Sequence, residues 1–185
     1  ENVLLFLGRL VEKKGLLYLI KAMLEIVSKN PNTELIICGD GPLRKELEHL
    51  VKKMCLEKFV RFTGYVTGRE KIEYLSLSDI LIVPSIVTQS GDTEGLPVVI
   101  LEGLTAGKPI IASDVGGVRD VVRIGWNGFL VKQKNSNQIA EKVLELINRK
   151  DLRINFSKNA LITAKEYDWK VIGKKYATII KSIMR

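Results

Sequence analysis

Two carboxylates separated by seven residues form the part of the sequence best suited to chemistry. Glu94 precedes Pro97, and Glu102 lies in the apolar segment that follows Pro97. Pro97 suits the first position of a helix, because proline has a helical φ and no N–H that would go unpaired there. The N-terminus of a helix can hold a phosphate through its free N–H groups, while a nearby carboxylate binds neutral hydroxyl groups. This combination of groups suits a sugar nucleotide.

Two cations offer a second contact for a phosphate. Arg9 and Lys14 lie five residues apart in one predicted loop, so both side chains can converge on a single anion. Arginine can bind a phosphate through two N–H groups, and lysine supplies a compact charge. Fixed cations of this kind would stabilise the charge that develops on a diphosphate as a glycosidic bond breaks. Lys13 is the alternative second cation, and we favour Lys14 because it directly precedes Gly15.

The segments that must position these residues alternate between short apolar runs and helical patterns. The apolar runs are typical of strands buried on both faces of a parallel sheet. We predict six of them, at Val3–Leu7, Leu35–Cys38, Val60–Thr63, Ile80–Val83, Pro109–Ala112 and Gly128–Val131. The segments between them predict crossover helices. The fold expected over residues 1–185 is therefore one α/β domain, with a Rossmann-like parallel sheet of about six strands and helices on both faces.

The helical patterns also continue beyond the last strand. The first helix carries apolar residues from Leu16 to Val27 at helical spacing and stops at Asn30-Pro31. Three more helices, near 139–147, 152–166 and 171–183, give the chain a helical C-terminal end. In an open sheet of this type, ligands bind beyond the carboxyl ends of the strands. The loops that hold the two cations and the first glutamate are therefore expected to meet at one edge.

Composition excludes several classes of protein. No apolar run approaches the roughly 18 residues of a membrane-spanning helix, and there is no signal peptide. The chain enters an apolar strand directly at Glu1 without a Met, which predicts a piece of a longer protein.

Cys38 and Cys55 are interpreted as buried free thiols in a reducing cytosol. His49 is the sole histidine, and its charged neighbours predict a surface position, so a His-based triad or multi-His metal site is excluded.

The excess positive charge is confined to the C-terminal part of the sequence. The chain carries 29 Lys or Arg and 21 Asp or Glu, a formal charge of +8, and the residues before 132 are balanced. Two interpretations stay open, namely solvated helix faces, which we favour, and a contact with an anionic membrane surface. Nucleic acid is not expected as a partner, because the basic segment has few aromatic residues and no binding motif.

Several motifs together resemble one enzyme family. Four motifs follow one another in the order that this family shows. They are Gly-Arg-x4-Lys-Gly at 8–15, Glu-Gly-Leu-Pro at 94–97 with Glu102, Ala-Gly-Lys-Pro at 106–109 and Ser-Asp-Val-Gly-Gly at 113–117. This set resembles the donor-binding C-terminal domain of the retaining glycosyltransferases of family 4, or group 1, which have the GT-B fold. The resemblance implies a cytoplasmic enzyme that transfers a sugar with retention from a nucleotide-diphospho-sugar. The acceptor would be held by an N-terminal domain absent from this chain, and the isolated domain is expected to be inactive.

The resemblance also implies roles for individual residues. Arg9 and Lys14 correspond to the family's phosphate-binding cations, and Glu94 to the glutamate that places the transferred sugar, so these three are the catalytic candidates. Glu102 corresponds to the glutamate that binds the ribose. The usual proposal for such retaining enzymes is a front-face mechanism, in which the acceptor attacks from the side that the leaving group departs.

Further donor-binding residues follow from the same motifs. They are Gly8, Gly39, Tyr65, Val66, Gly95, Leu96, Pro97 and Val98, in addition to Glu102. The backbone near Tyr65 would meet the base, which leaves uracil and guanine both open, so the donor is a UDP-sugar or a GDP-sugar. Pro97 stands where the family commonly has glycine, which removes one N–H. The N–H groups of Leu96 and Val98 are expected to remain available.

Other interpretations concern metals, loops and rival functions. No Asp-x-Asp pair occurs, so we predict a reaction without metal or cofactor. The long polar loop 85–95 is expected to order when donor binds, and the turn 113–117 either lines the cleft or is purely structural. The alternative function is a non-catalytic nucleotide-binding or scaffolding domain. Nucleotide-sugar epimerases share the two-domain fold but would lack this combination of motifs.

Overall fold

A computed structural model describes residues 2–183 and confirms the predicted sheet. All six strands are parallel, in the spatial order β3-β2-β1-β4-β5-β6. Their bounds are Asn2–Leu7 for β1, Thr33–Cys38 for β2, Val60–Gly64 for β3, Ile80–Val83 for β4, Ile110–Ser113 for β5 and Gly128–Val131 for β6. Because β1 pairs with β2 on one side and with β4 on the other, the strand order reverses at β1.

Eight α-helices and a short 3-10 turn at Glu12–Lys14 make up the rest of the regular structure in residues 2–183. The helices are α1 (Leu16–Lys29), α2 (Arg44–Lys53), α3 (Gly68–Leu77), α4 (Val98–Thr105), α5 (Val118–Val121), α6 (Ser136–Asn148), α7 (Lys150–Glu166) and α8 (Trp169–Ile183). None of the helices in this part of the chain is both long and apolar enough to cross a membrane.

Alternate residues of each strand are buried on opposite faces of the sheet. In β1, Leu4 and Phe6 belong to a core packed under α1, α2 and α6, while Leu5 and Leu7 belong to a core packed under α3 and α4. Strands buried on both faces explain why the sequence shows continuous apolar runs rather than alternation. The helices on the two faces fix the loops at the carboxyl ends of the strands.

Three predictions about local structure need correction. Pro97 is the residue before α4 and has extended backbone angles (φ −62°, ψ 120°), so Val98 is the first helical residue. The proline φ suits both positions, which is why the sequence did not separate them. Cys55 is exposed rather than buried, because it adopts a left-handed conformation (φ 54°) just after α2, where the chain turns toward β3. The helix predicted at 152 begins at Lys150.

The carboxyl ends of the first three strands approach closely through glycine. The Gly39 N–H donates to the Gly64 carbonyl at 2.7 Å, and the Gly8 N–H donates to the Cys38 carbonyl at 3.0 Å. A Cβ added at Gly39 would lie 1.8 Å from the Gly8 carbonyl oxygen. Real side chains do not tolerate such a distance to backbone, so the strand ends require glycine here.

We expect the substitution Gly39→Ala to lower the free energy of unfolding by about 3 kcal/mol, because the new methyl group forces β1 and β2 apart. Urea denaturation measures the change. Gly173→Ala is the matched control, since its added methyl group meets nothing within 4 Å. The control should be neutral or slightly stabilising, as alanine favours a helix. Equal stability of the two variants would contradict the packing described here.

Candidate functional site

A cavity of about 680 Å³ lies at the carboxyl ends of β1, β2 and β3 and beside the start of α4. Its wall comes from the residues that follow each of these strands and from the first turns of α3 and α4. All of the sequence-predicted site residues except Gly95 line it. The sequence therefore located the cavity, whereas the role of each residue in it stays a prediction.

One end of the cavity carries the two predicted cations. Lys14 lines the cavity at the end of the 3-10 turn, and its Nζ lies 3.1 Å from Oε2 of Glu94. Lys13 does not line the cavity; its Nζ lies 3.2 Å from Oδ1 of Asp92 and 3.8 Å from Oε1 of Glu94. Arg9 is exposed and lines the cavity, and within residues 2–183 it has no ion-pair partner. Arg9 is therefore free to meet an incoming anion.

Glu94 is the most enclosed carboxylate of this cluster. Only 15% of its side chain is exposed, and the ammonium groups of Lys13 and Lys14 flank its two oxygens. The backbone behind it is fixed as well, because the Gly117 N–H donates to the Gly95 carbonyl at 2.7 Å. The loop after β4 is thus tied to the loop after β1 by ion pairs and to the turn after β5 by a hydrogen bond.

The start of α4 leaves backbone donors at the cavity. Pro97 caps the helix without a side-chain hydrogen bond. Within the described residues 2–183, the N–H groups of Leu96 and Val98 donate to no backbone carbonyl. Both residues line the cavity, as does Val99. Unpaired N–H groups at a helix start attract anions.

Glu102 has a partner that the sequence analysis missed. Its Oε1 accepts a hydrogen bond from Nζ of Lys71 at 2.6 Å, and each side chain is 32% exposed. Lys71 lies in the first turn of α3 and Glu102 in the middle of α4, and both helices pack on the same core through Leu75 and Ile100. The sequence carried no motif for this contact, because it depends on how the two helices pack on the sheet.

The far end of the cavity holds the segment predicted to meet the base. Tyr65 is 78% exposed at the cavity, whereas Val66 is buried beneath it. Sequence analysis did not assign Asp40, Thr67 and Cys38, which also line this part. Burial raises the pKa of the Cys38 thiol, against a smaller opposing effect of a hydrogen bond with Thr63, so the thiol is neutral at physiological pH.

The turn 113–117 supports the cavity from outside. None of its residues lines the cavity, which favours the structural alternative. A Cβ at Gly116 would lie 2.4 Å from the Glu94 carbonyl oxygen and 2.2 Å from that of Gly95. Asp114 instead lines a second concave surface of about 540 Å³, where Arg119 binds it and lowers the pKa of its carboxyl group. The turn therefore fixes the backbone that carries Glu94.

The family model described as "Glycosyl transferases group 1" matches residues 1–162. The chain belongs to this family. An uncharacterized glycosyltransferase of Methanocaldococcus jannaschii is 32% identical over the whole chain, and the match spans 46% of that protein. The chain thus covers about half the length of this curated relative.

Solved structures of glycosyltransferases share the fold. Anabaena HepE in complex with UDP superposes with a TM-score of 0.85 at 26% identity, over 97% of this chain and 48% of that one. The C-terminal domain of the group 1 protein LpcC from Francisella tularensis superposes with a TM-score of 0.78 at 26% identity, over 89% of this chain and 84% of that one. The Rossmann-like sheet is thus that of the GT-B glycosyltransferases, as predicted.

We expect Gly116→Ala to destabilise the protein by about 3 kcal/mol and Gly125→Ala by about 1 kcal/mol. Both glycines have left-handed φ values, 51° and 75°, so alanine has a similar backbone cost at each. Only Gly116 has carbonyl oxygens in the way, whereas a Cβ at Gly125 meets nothing within 4 Å. Urea denaturation of the two variants isolates the contact with the Glu94–Gly95 backbone. Equal losses would show that the turn does not support the site.

Proposed function

We propose that this chain is the donor-binding domain of a retaining glycosyltransferase of family 4. One observation carries the proposal. A single cavity is lined by two cations, the start of a helix, two carboxylates and the Tyr65 segment. A nucleotide-diphospho-sugar has the matching sequence of groups, namely a base, a ribose diol, a diphosphate and a sugar. Membership of the group 1 family and the UDP complex of Anabaena HepE support this choice.

Arg9, Lys14 and the start of α4 would hold the diphosphate. The guanidinium of Arg9 can donate two parallel N–H groups to phosphate oxygens. Lys14 adds a charge from a position that is only 16% exposed, where screening by water is reduced. These fixed positive groups stabilise the charge that accumulates on the diphosphate as it leaves. Such a site needs no metal ion to neutralise the leaving group, so we propose a reaction without metal or cofactor.

Glu94 would place the transferred sugar beside the departing phosphate. Its carboxylate accepts hydrogen bonds from sugar hydroxyl groups, and its present partner Lys14 turns toward the phosphate when donor binds. The acceptor then attacks from the same face, which retains the configuration at the anomeric carbon. Glu102 accepts hydrogen bonds from the ribose, and the backbone near Tyr65 meets a uracil or guanine base.

The rest of the enzyme would complete the active site. The acceptor is held by an N-terminal domain, which agrees with a chain that spans 46% of its relative from Methanocaldococcus jannaschii. This domain alone therefore binds donor and transfers no sugar. We also propose that the enzyme is cytoplasmic and that its basic C-terminal part presents solvated helix faces, with a contact to the inner face of the membrane as the alternative.

Calorimetric titration with UDP and GDP, without metal, tests the donor site. We expect this chain to bind one of the two, and Arg9→Ala and Glu102→Ala each to weaken that binding about tenfold or more, since each removes charge-assisted hydrogen bonds. Arg69→Ala is the matched control for charge, because the Arg69 side chain is 92% exposed and, within residues 2–183, forms an ion pair with Glu73 alone. Absence of binding by the unaltered chain would contradict the proposal and favour a scaffolding domain.

The substitution Glu94→Gln separates binding from transfer. Removing this negative charge from beside the two lysines leaves them free for the diphosphate, so nucleoside diphosphate should bind as tightly as before or more tightly. Sugar transfer by the full-length protein should fall by about 100-fold or more, because the amide carries no negative charge and puts an NH2 donor in place of one acceptor oxygen, which disturbs the placement of the sugar. Unchanged transfer would show that Glu94 does not contact the sugar.

A further inference from the structure

Lys71 is a cavity-lining cation to which the proposed function gives no task. It lies in the first turn of α3, away from the cluster of Arg9, Lys13 and Lys14. Its only ion-pair partner within residues 2–183 is Glu102, at 2.6 Å. The contact joins side chains on two different helices, unlike the Arg69–Glu73 pair within α3.

The pairing uses one oxygen of Glu102 and leaves the other available. Lys71 donates to Oε1, and among the described residues 2–183 no group donates to Oε2. A carboxylate has about four acceptor positions, two on each oxygen. A ribose diol needs two acceptors, so it can bind Glu102 while Lys71 stays in place.

The contact also fixes a side chain that would otherwise be mobile. A glutamate side chain loses rotamer freedom when it is held in one orientation. Lys71 orders Glu102 before the ligand arrives, so the ligand does not bear this cost at the moment of binding. Once the ligand has displaced water from the cavity, Lys71 also balances the charge of Glu102. Enclosing the carboxylate then costs less free energy than it would without a partner.

We propose that Lys71 is a positioning residue that holds Glu102 in the orientation that binds the 2′ and 3′ hydroxyl groups of the donor ribose. This inference rests on the proposed function, since it deepens the role of Glu102. Lys71 acts through Glu102 and does not itself bind the diphosphate. Its effect on affinity must therefore depend on the ribose hydroxyl groups and on the carboxylate.

The test compares a nucleoside diphosphate with its 2′,3′-dideoxy analogue in calorimetric titrations of this chain. The probe is UDP or GDP, whichever the unaltered chain binds. Lys71→Met should weaken binding of the natural nucleotide about tenfold. It should change binding of the dideoxy analogue less than about twofold, because the hydroxyl groups that Glu102 holds are missing. Equal weakening of both ligands would overturn the inference and indicate a direct contact of Lys71 with phosphate or base.

Two controls separate this role from a general effect of charge. Arg69→Met removes the same charge from the same helix, but Arg69 does not line the cavity, so both ligands should bind as to the unaltered chain. In a Glu102→Gln background, Lys71→Met should cause little further loss, because the carboxylate through which it acts is gone. Additive losses would contradict the inference.

The outcomes distinguish failure of this inference from failure of the proposed function. If the unaltered chain binds a nucleoside diphosphate and Lys71→Met binds it equally well, only the role of Lys71 is wrong. If the unaltered chain binds neither UDP nor GDP, the proposed function fails, and the inference about Lys71 fails with it.

Discussion

The ion pair between Lys14 and Glu94 joins two loops that are 80 residues apart in the sequence. The two loops meet because β1 pairs directly with β4, at the point where the strand order reverses. Helices that follow neighbouring strands leave on opposite faces there, so a crevice opens between them. The loop after β1 brings the cations and the loop after β4 brings the carboxylate. Every other part of the candidate site is arranged around this contact.

Charges in the cavity are largely balanced before any ligand binds. Glu94 and Glu102 each have a lysine partner, and Asp40 accepts hydrogen bonds from the Gly41 N–H and from Arg44. Among the described residues 2–183, the positive groups of the cavity without a carboxylate partner are Arg9 and the start of α4. A diphosphate must therefore either use these groups or displace Glu94 from its lysines. The carboxylates repel a simple anion but accept hydrogen bonds from hydroxyl groups. A ligand that carries both anionic groups and hydroxyl groups is therefore favoured over a simple anion.

Much of the fold was predictable because each strand is a short apolar run and each crossover helix has apolar residues at helical spacing. The choice of Lys14 over Lys13 agrees with the cavity lining, since the 3-10 turn directs only the second lysine to the cavity. The Lys71–Glu102 contact was not predicted, because it depends on how two helices pack and not on any motif. Cys38 and Asp40 were not assigned although Gly39 between them was, because no motif marks which side chains at the end of a strand face the cavity. The position of Pro97 and the exposure of Cys55 depend on backbone angles at single residues, which residue type constrains only loosely.

Part of the cavity wall is main chain, because Gly39 lies so close to the Gly8 carbonyl that position 39 cannot carry a side chain without moving the strands. A ligand contacts peptide groups there, and those groups are the same whatever residues surround them. Substitution of the surrounding residues therefore changes little of what a ligand contacts at the strand ends. Elsewhere the wall is made of side chains, from α3, from α4 and from the loops before them. A main-chain frame that tolerates little substitution is thus joined to positions whose side chains can be exchanged without moving the strands.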